Sequence, residues 1–299
     1  MSIAARRTDR STKAALTRVG TDCATRALAE AARGAEARPH ELRKRCKELR
    51  GLLRLLRPGL PEYDRLNRSV RDAARLVAPA RDAEVMLDTL DNLTARRRAP
   101  QHFAGLRARL VTEIARRDIH DGDEALADYS EAMRAIEVAF AQLALGDKAN
   151  RVLWKGLGDT WKRARHGHAQ AQASLAGEFD PEVFHDWRKV VKQHWYQARF
   201  LVRIRKGKLK RHIARIDTLA ETLGAHNDLD TLMGFLDTQQ GLSATDAKAR
   251  EILRRHVLAA RRRLAQAALA QADDTLALPP KALVKQWHGW WRNWRGKRS

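Results

Sequence analysis

Five residues of mixed chemistry, His40, Arg43, Lys44, Lys47 and Arg54, recur as His185, Arg188, Lys189, Lys192 and Arg199 at one constant offset of 145 residues. Their common chemistry is the binding of anions. Arginine grips phosphate oxygens with a two-pronged fork, and lysine acts as a strongly hydrated point charge, so a mixed lining suits repeated phosphates better than one shaped small molecule. The same offset pairs Arg6 with Arg151, Arg10 with Lys155 and Arg18 with Arg163. One residue more pairs Arg65 with Arg211, and Arg81-Asp82-Ala83-Glu84 with Asn227-Asp228-Leu229-Asp230. The chain therefore reads as two copies of one multi-helix unit, with the boundary between about 120 and 148.

On a helix, positions 0, 3, 4, 7 and 14 fall on one face about 100° wide, so each set forms a basic stripe. Opposite the first stripe lie Leu42, Cys46, Leu49, Leu53 and Leu56; opposite the second lie Trp187, Val191, Ala198 and Leu201, with His194 where the first copy has a leucine. A charged face opposite an apolar one is often only a solvated surface. Such surfaces usually mix signs, however, and these stripes carry one sign. Cations about 7 Å apart repel by roughly 2 kcal/mol at an effective dielectric near 20, a cost that a bound polyanion cancels. Arg50 extends the first stripe. His40 and His185 serve either as hydrogen-bonding or pH-sensitive members of the site or as packed structural histidines.

The elements that position these stripes are helices. Gly and Pro are few, Ala, Leu and Arg abundant, and no alternating β-branched runs occur, so the fold class is all-α. Breakers and caps predict helices near 9–34, 39–57, 61–78, 80–97, 101–119, 123–145, 148–176, 181–205, 208–223, 227–240, 245–273 and 280–296. Pro39, Pro61, Pro181 and Pro280 suit first turns. The expected organisation is a first helical bundle over 5–122, a second over 123–275, related by a pseudo-twofold axis, and a Trp/Arg-rich C-terminal helix and tail over 276–299. If the axis brings the stripes face to face they line one basic groove, to which Arg10, Arg18, Lys155, Arg163, Arg65 and Arg211 add charge.

A net charge of +22, from 58 Lys and Arg against 36 Asp and Glu, is large enough to draw in any nearby polyanion. Two cysteines, Cys23 and Cys46, read as free thiols in a reducing compartment. The charged N-terminus and the lack of an uncharged apolar run of 18 residues point to a cytoplasmic protein.

The segments His40-Glu41-Leu42-Arg43, then Lys47, Leu49-Arg50 and Arg54, with Arg81-Asp82-Ala83-Glu84-Val85 downstream, resemble the CHAD family, the conserved histidine α-helical domain. The second copy keeps His185, Arg188, Lys192 and Arg199 but carries Trp195 in place of Arg50 and Asn227 in place of Arg81. The resemblance spans about residues 5–275. It implies paired helical bundles around a basic central groove or pore, binding of inorganic polyphosphate, and association with polyphosphate granules. Some members carry a catalytic triphosphate tunnel domain; no Glu-x-Glu-x-Lys occurs here, so no enzyme is expected.

Other readings stay open. Asp82 with Glu84, and Asp228 with Asp230, lie near predicted helix starts and suit capping or the orientation of arginines; a metal site would want further ligands converging on them. No metal or cofactor is expected. DNA and RNA are also phosphate polyanions, and Trp287, Trp290, Trp291 and Trp294 among Lys285, His288, Arg292, Arg295, Lys297 and Arg298 suit either an interaction helix or simple packing. His120-Asp121 and His185-Asp186 resemble phosphohydrolase pairs only at the level of a common dipeptide.

Overall fold

The computed structural model describes residues 3–77, 79–95, 100–117 and 122–296. It is all-helical. The helices are α1 Thr12–Ala31, α2 Pro39–Leu56, α3 Tyr63–Leu76, α4 Pro79–Thr94, α5 Ala104–Arg117, α6 Gly122–Ala141, α7 Ala149–Ala176, α8 Pro181–Leu201, α9 Lys206–Thr238, α10 Ala244–Thr275 and α11 Pro280–Gly296. Ser11, Asp180 and Ser243 accept first-turn amides at the starts of α1, α8 and α10, as short polar side chains do at N-caps. Pro39, Pro181 and Pro280 open their helices, whereas Pro61 sits in the turn ahead of α3. Gly34, Gly146 and Gly241 take positive φ in the connections.

The predicted pair of helices over 208–223 and 227–240 is one helix, α9. Gly224 suggested a break, but it is buried within the helix, where packing outweighs its intrinsic cost of about 1 kcal/mol. Asp228 and Asp230 consequently lie in mid-helix rather than at a start, and Asp230 accepts a 2.6 Å bond from Arg261 on α10. Of the matching first-copy segment, Glu84 is exposed; the side chains of Arg81 and Asp82, and His120-Asp121, lie outside the described residues.

Among the described residues two apolar clusters hold the fold. The larger joins α1, α2, α3 and α6 with α7, α8, the first half of α9, the end of α10, and α11. The smaller gathers Met86, Leu90, Leu106 and Leu110 of α4 and α5 against Leu229, Leu232 and Leu236 of α9 and Leu253 and Val257 of α10. The packing thus divides the chain differently from a cut between 122 and 123. Helix α6 returns onto α1 and α3, while α4 and α5 leave their sequence neighbours for α9 and α10. The C-terminal segment is no separate tail: Trp287, Trp291 and Trp294 of α11 are buried, and Trp161 of α7 donates to the Leu278 carbonyl at 2.7 Å.

The centre is a close crossing of α2 over α7 and α8. A methyl group on Gly51 would stand 2.7 Å from Tyr196 Cβ, and one on Gly156 would stand 2.1 Å from the Leu55 carbonyl oxygen. Buried Gln197 donates to Thr160 Oγ1 at 3.0 Å and to the Gly51 carbonyl at 3.4 Å. Positions 51 and 196 are themselves a pair at the 145-residue offset. His194 is fully buried, with Nε2 2.8 Å from His212 Nε2 and the rings of Trp161 and Trp287 packed on the pair.

Candidate anion-binding cleft

The crossing sets where each stripe points. Helix α2 turns Gly51 toward α8, while Arg50 Nε donates to Asn67 Oδ1 at 3.2 Å and Arg54 Nη1 to the Tyr63 hydroxyl at 2.8 Å, both on α3. Its stripe therefore lies toward α3. Helix α8 turns Tyr196 toward α2 and its stripe toward α9, where Lys192 pairs with Asp217 at 3.1 Å and His185 Nδ1 meets Asn227 Oδ1. Most of the two stripe sets diverge to either side of the crossing, while Arg50 and Arg54 of the first and Lys189 of the second line one cleft.

The C-terminal half of α2, the start of α3, α7 and the N-terminal half of α8 enclose a cleft of about 530 Å³. Its basic lining is Arg50, Arg54, Arg57, Arg163 and Lys189, with the imidazole of His166 beside them. A smaller cavity of about 240 Å³ shares Arg54, Arg57 and Arg163 and adds Lys155 and Asp159. Together they form a basic track across the end of α2.

The four arginines carry the site. None has a carboxylate within ion-pair distance among the described residues; Arg50 and Arg54 bond only neutral Asn67 and Tyr63. The guanidiniums of Arg54 and Arg57 lie 5.6 and 5.3 Å from the Tyr63 ring centre, a cation–π arrangement. Burial pushes both Arg50 and Arg54 below the usual arginine value, and neighbouring cations, Arg71 and Arg54 for the first and Arg57 for the second, push the same way. They remain charged, because arginine holds its proton throughout the physiological range. The shift reflects burial first, with the neighbouring cations adding to it and Asp64 opposing it at Arg54. Acidic residues also line the cleft: Asp180 caps α8, Asp186 and Glu182 hold Lys189 at 2.8 and 3.6 Å, and Asp64 stands near Arg54 beyond ion-pair distance. Among the described residues no three His, Cys, Asp or Glu side chains converge as metal ligands.

A sequence model of the CHAD domain matches residues 18–237. The chain belongs to the CHAD domain family. In a comparison of folds, the crystal structure of the CHAD domain from the plant Ricinus communis aligns with a TM-score of 0.58 at 20% identity, covering 90% of this chain and 94% of that one. No curated protein matches the sequence. Arg50, Arg54, Arg57, Arg163, His166 and Lys189 all fall inside the CHAD match, whereas Arg10 and α11 fall outside it.

Several expected site residues of this CHAD chain stand elsewhere. Arg18 is locked inward: Nε and Nη2 bond the two Asp9 carboxylate oxygens at 2.7 and 2.9 Å, and Nη2 also bonds the Ala4 carbonyl. Burial alone would raise the Asp9 carboxyl, but Arg18 and the Arg6 amide hold it below the usual range. Arg65 is tied to Glu62, the residue ahead of α3, and Lys44 to Glu41 on its own helix; Lys155 pairs with Asp159 at 3.1 Å but keeps its place in the smaller cavity. Arg10 and Arg211 are exposed away from the cleft. Arg188 lies alongside Gly224 of α9 with a buried Nε that has no hydrogen-bond partner, and the charged groups of Lys192 and Arg199 stand 4.6 and 4.4 Å from the Trp195 ring centre. His40, Arg43 and Lys47 lie on the N-terminal half of α2, outside the cleft. Sequence reasoning missed Arg57, His166 and Tyr63. The signal for two of them was a further step of three residues, from Arg54 to Arg57 and from Arg163 to His166.

Proposed function

We propose that this CHAD domain binds inorganic polyphosphate along the cleft at the C-terminal end of α2. The observation that carries the reading is the convergence of four arginines without carboxylate partners, Arg50, Arg54, Arg57 and Arg163, on two contiguous cavities. A linear chain of phosphates supplies the missing negative charge at regular intervals, and forked guanidinium contacts tolerate its uniform repeat. Arg188, beside α9, and Arg199, over Trp195, add basic groups on α8 past the crossing. Contact between positions 51 and 196 supports a twofold relation between the two halves, since residues on such an axis meet their own counterparts. The domain acts as a binder that leaves the chain of phosphates intact, and association with polyphosphate granules in the cytoplasm follows from that activity. No described helix is long and apolar enough to cross a membrane.

The deciding experiment titrates long-chain polyphosphate, double-stranded DNA and single-stranded RNA of matched charge at about 150 mM salt, where generic attraction is screened. Wild type is compared with Arg50→Gln/Arg54→Gln. Polyphosphate is expected to bind at least about tenfold tighter than nucleic acid, roughly 1.4 kcal/mol, and to lose at least that factor in the variant. Equal nucleic-acid binding, or an unaffected variant, overturns the proposal; release of orthophosphate over time overturns the binder-only part.

A further inference from the structure

We infer a second, separate anion site, built by the N-terminal segment, the α8–α9 connection and α11, that takes a compact group of two or three linked phosphoryl units. A cavity of about 260 Å³ there is lined by Arg7, Arg203, Arg205, Lys206, Trp290 and Trp294, together with Ile204 and Asn293. Four cations meet with no acidic residue in the lining, and none of the four has an ion-pair partner among the described residues. Four like charges brought together by three chain segments repel one another, and a multiply charged anion relieves that repulsion. A single carboxylate would leave most of it in place.

Two details add to this arrangement. Arg205 precedes α9 and offers no side-chain acceptor to the first-turn amides; next along that turn, Gly207 has no neighbour within 4 Å of where a Cβ would stand. Lys206, the first residue of α9, brings the positive end of that helix to the cavity wall. Trp290 is only partly buried and carries Lys208 Nζ 5.8 Å from its ring centre, which puts a fluorescent reporter on the wall. The site is distinct from the α2 cleft. About ten residues of helix and turn separate Gln193, which lines the cleft, from Arg203, on the order of 15 Å at the helical rise. Arg7, Trp290, Asn293 and Trp294 lie outside residues 18–237, so the CHAD match supplies only one wall.

Linked phosphoryl groups come from two sources, an inorganic oligophosphate or the tail of a nucleotide. The test uses the full chain in the Arg50→Gln/Arg54→Gln background, with inorganic triphosphate and ATP as probes, followed by calorimetry and tryptophan emission. One equivalent is expected to bind and to shift the emission. Adding Arg203→Gln/Arg205→Gln should weaken that binding at least tenfold with unchanged circular dichroism, and adding Trp290→Phe should remove most of the emission change. Equal affinity for both probes assigns recognition to the phosphoryl groups alone; preference for one assigns its source. Binding that Arg203→Gln/Arg205→Gln leaves intact, or no binding of either probe, overturns the site. In the wild-type background Arg203→Gln/Arg205→Gln should leave long-chain polyphosphate affinity within threefold, so failure here and failure of the cleft reading give different results.

Discussion

Lowering the pH from 7 to 5 should cost this protein about 4 kcal/mol of folding stability, through histidines buried in the neutral state. His226 is stacked against Phe184 with ring centres 4.7 Å apart and is 1% exposed; burial first, then nearby Arg261, pushes it down to about 4. His212, packed between Trp161, Trp287 and His194, is likewise pushed by burial, and by Arg215, to about 4. His194 is driven down by burial and by His212. Each folded value lies below the unfolded one of about 6.5, so between those limits the unfolded chain binds more protons and stability falls with acidity. At pH 5 an unfolded histidine is almost wholly protonated and a folded one with a value near 4 is not, which is worth about 2 kcal/mol per residue. His212 and His226 together give about 4; His194, in hydrogen-bond contact with His212, acts in the same direction. Paired carboxylates such as Asp9 lose their contribution only at lower pH, so the window isolates the histidines. Urea unfolding of wild type and His226→Phe at both pH values measures the effect. The variant should lose only about 2 kcal/mol over the same interval. A wild-type change below about 1 kcal/mol, or a variant as acid-sensitive as wild type, refutes the assignment of these rings as neutral and buried.

Gly156→Ala should destabilise by about 3 kcal/mol, read as a lower urea midpoint, because its methyl group would press on backbone at Leu55; Gly51→Ala, facing the Tyr196 side chain, should cost less. Arg18→Ala should destabilise by about 3 kcal/mol, since it strands the 5% exposed Asp9 carboxylate, yet leave polyphosphate affinity within twofold. Leu232→Ala should cost about 3 kcal/mol through a cavity in the smaller cluster. Cys23 and Cys46, both buried and both pushed up by burial, the second to about 11, should react with a thiol reagent only at the rate of unfolding.

How much of this was written in the chain differs by level. The helices and the basic stripes were legible, because period and cap chemistry are local properties of residues such as Ser11, Pro39 and Pro181. The partners of those residues were not. Arg18 and Arg54 look alike in sequence, but one meets a buried Asp9 and the other a neutral Tyr63, a difference created by which helix each faces. Gly51 and Gly156 decide that geometry by letting α2 approach α7 and α8 closely. Arg57 was hidden by the Pro58-Gly59 turn, which reads as a helix end although the side chain continues the α2 series into the cleft. The continuity of α9 through Gly224 was likewise decided by what packs around it.

The exchange of α4 and α5 onto α9 and α10 sets a timetable for synthesis. Leu110 emerges about 120 residues before Leu229, the first of the α9 residues that bury it. At 5–20 residues per second, the apolar faces of α4 and α5 wait roughly 6 to 24 seconds for their partners. During that interval the nascent chain offers Met86, Leu90, Leu106 and Leu110 to whatever chaperone or neighbouring ribosome is at hand, so codon usage between α5 and α9 becomes a determinant of yield.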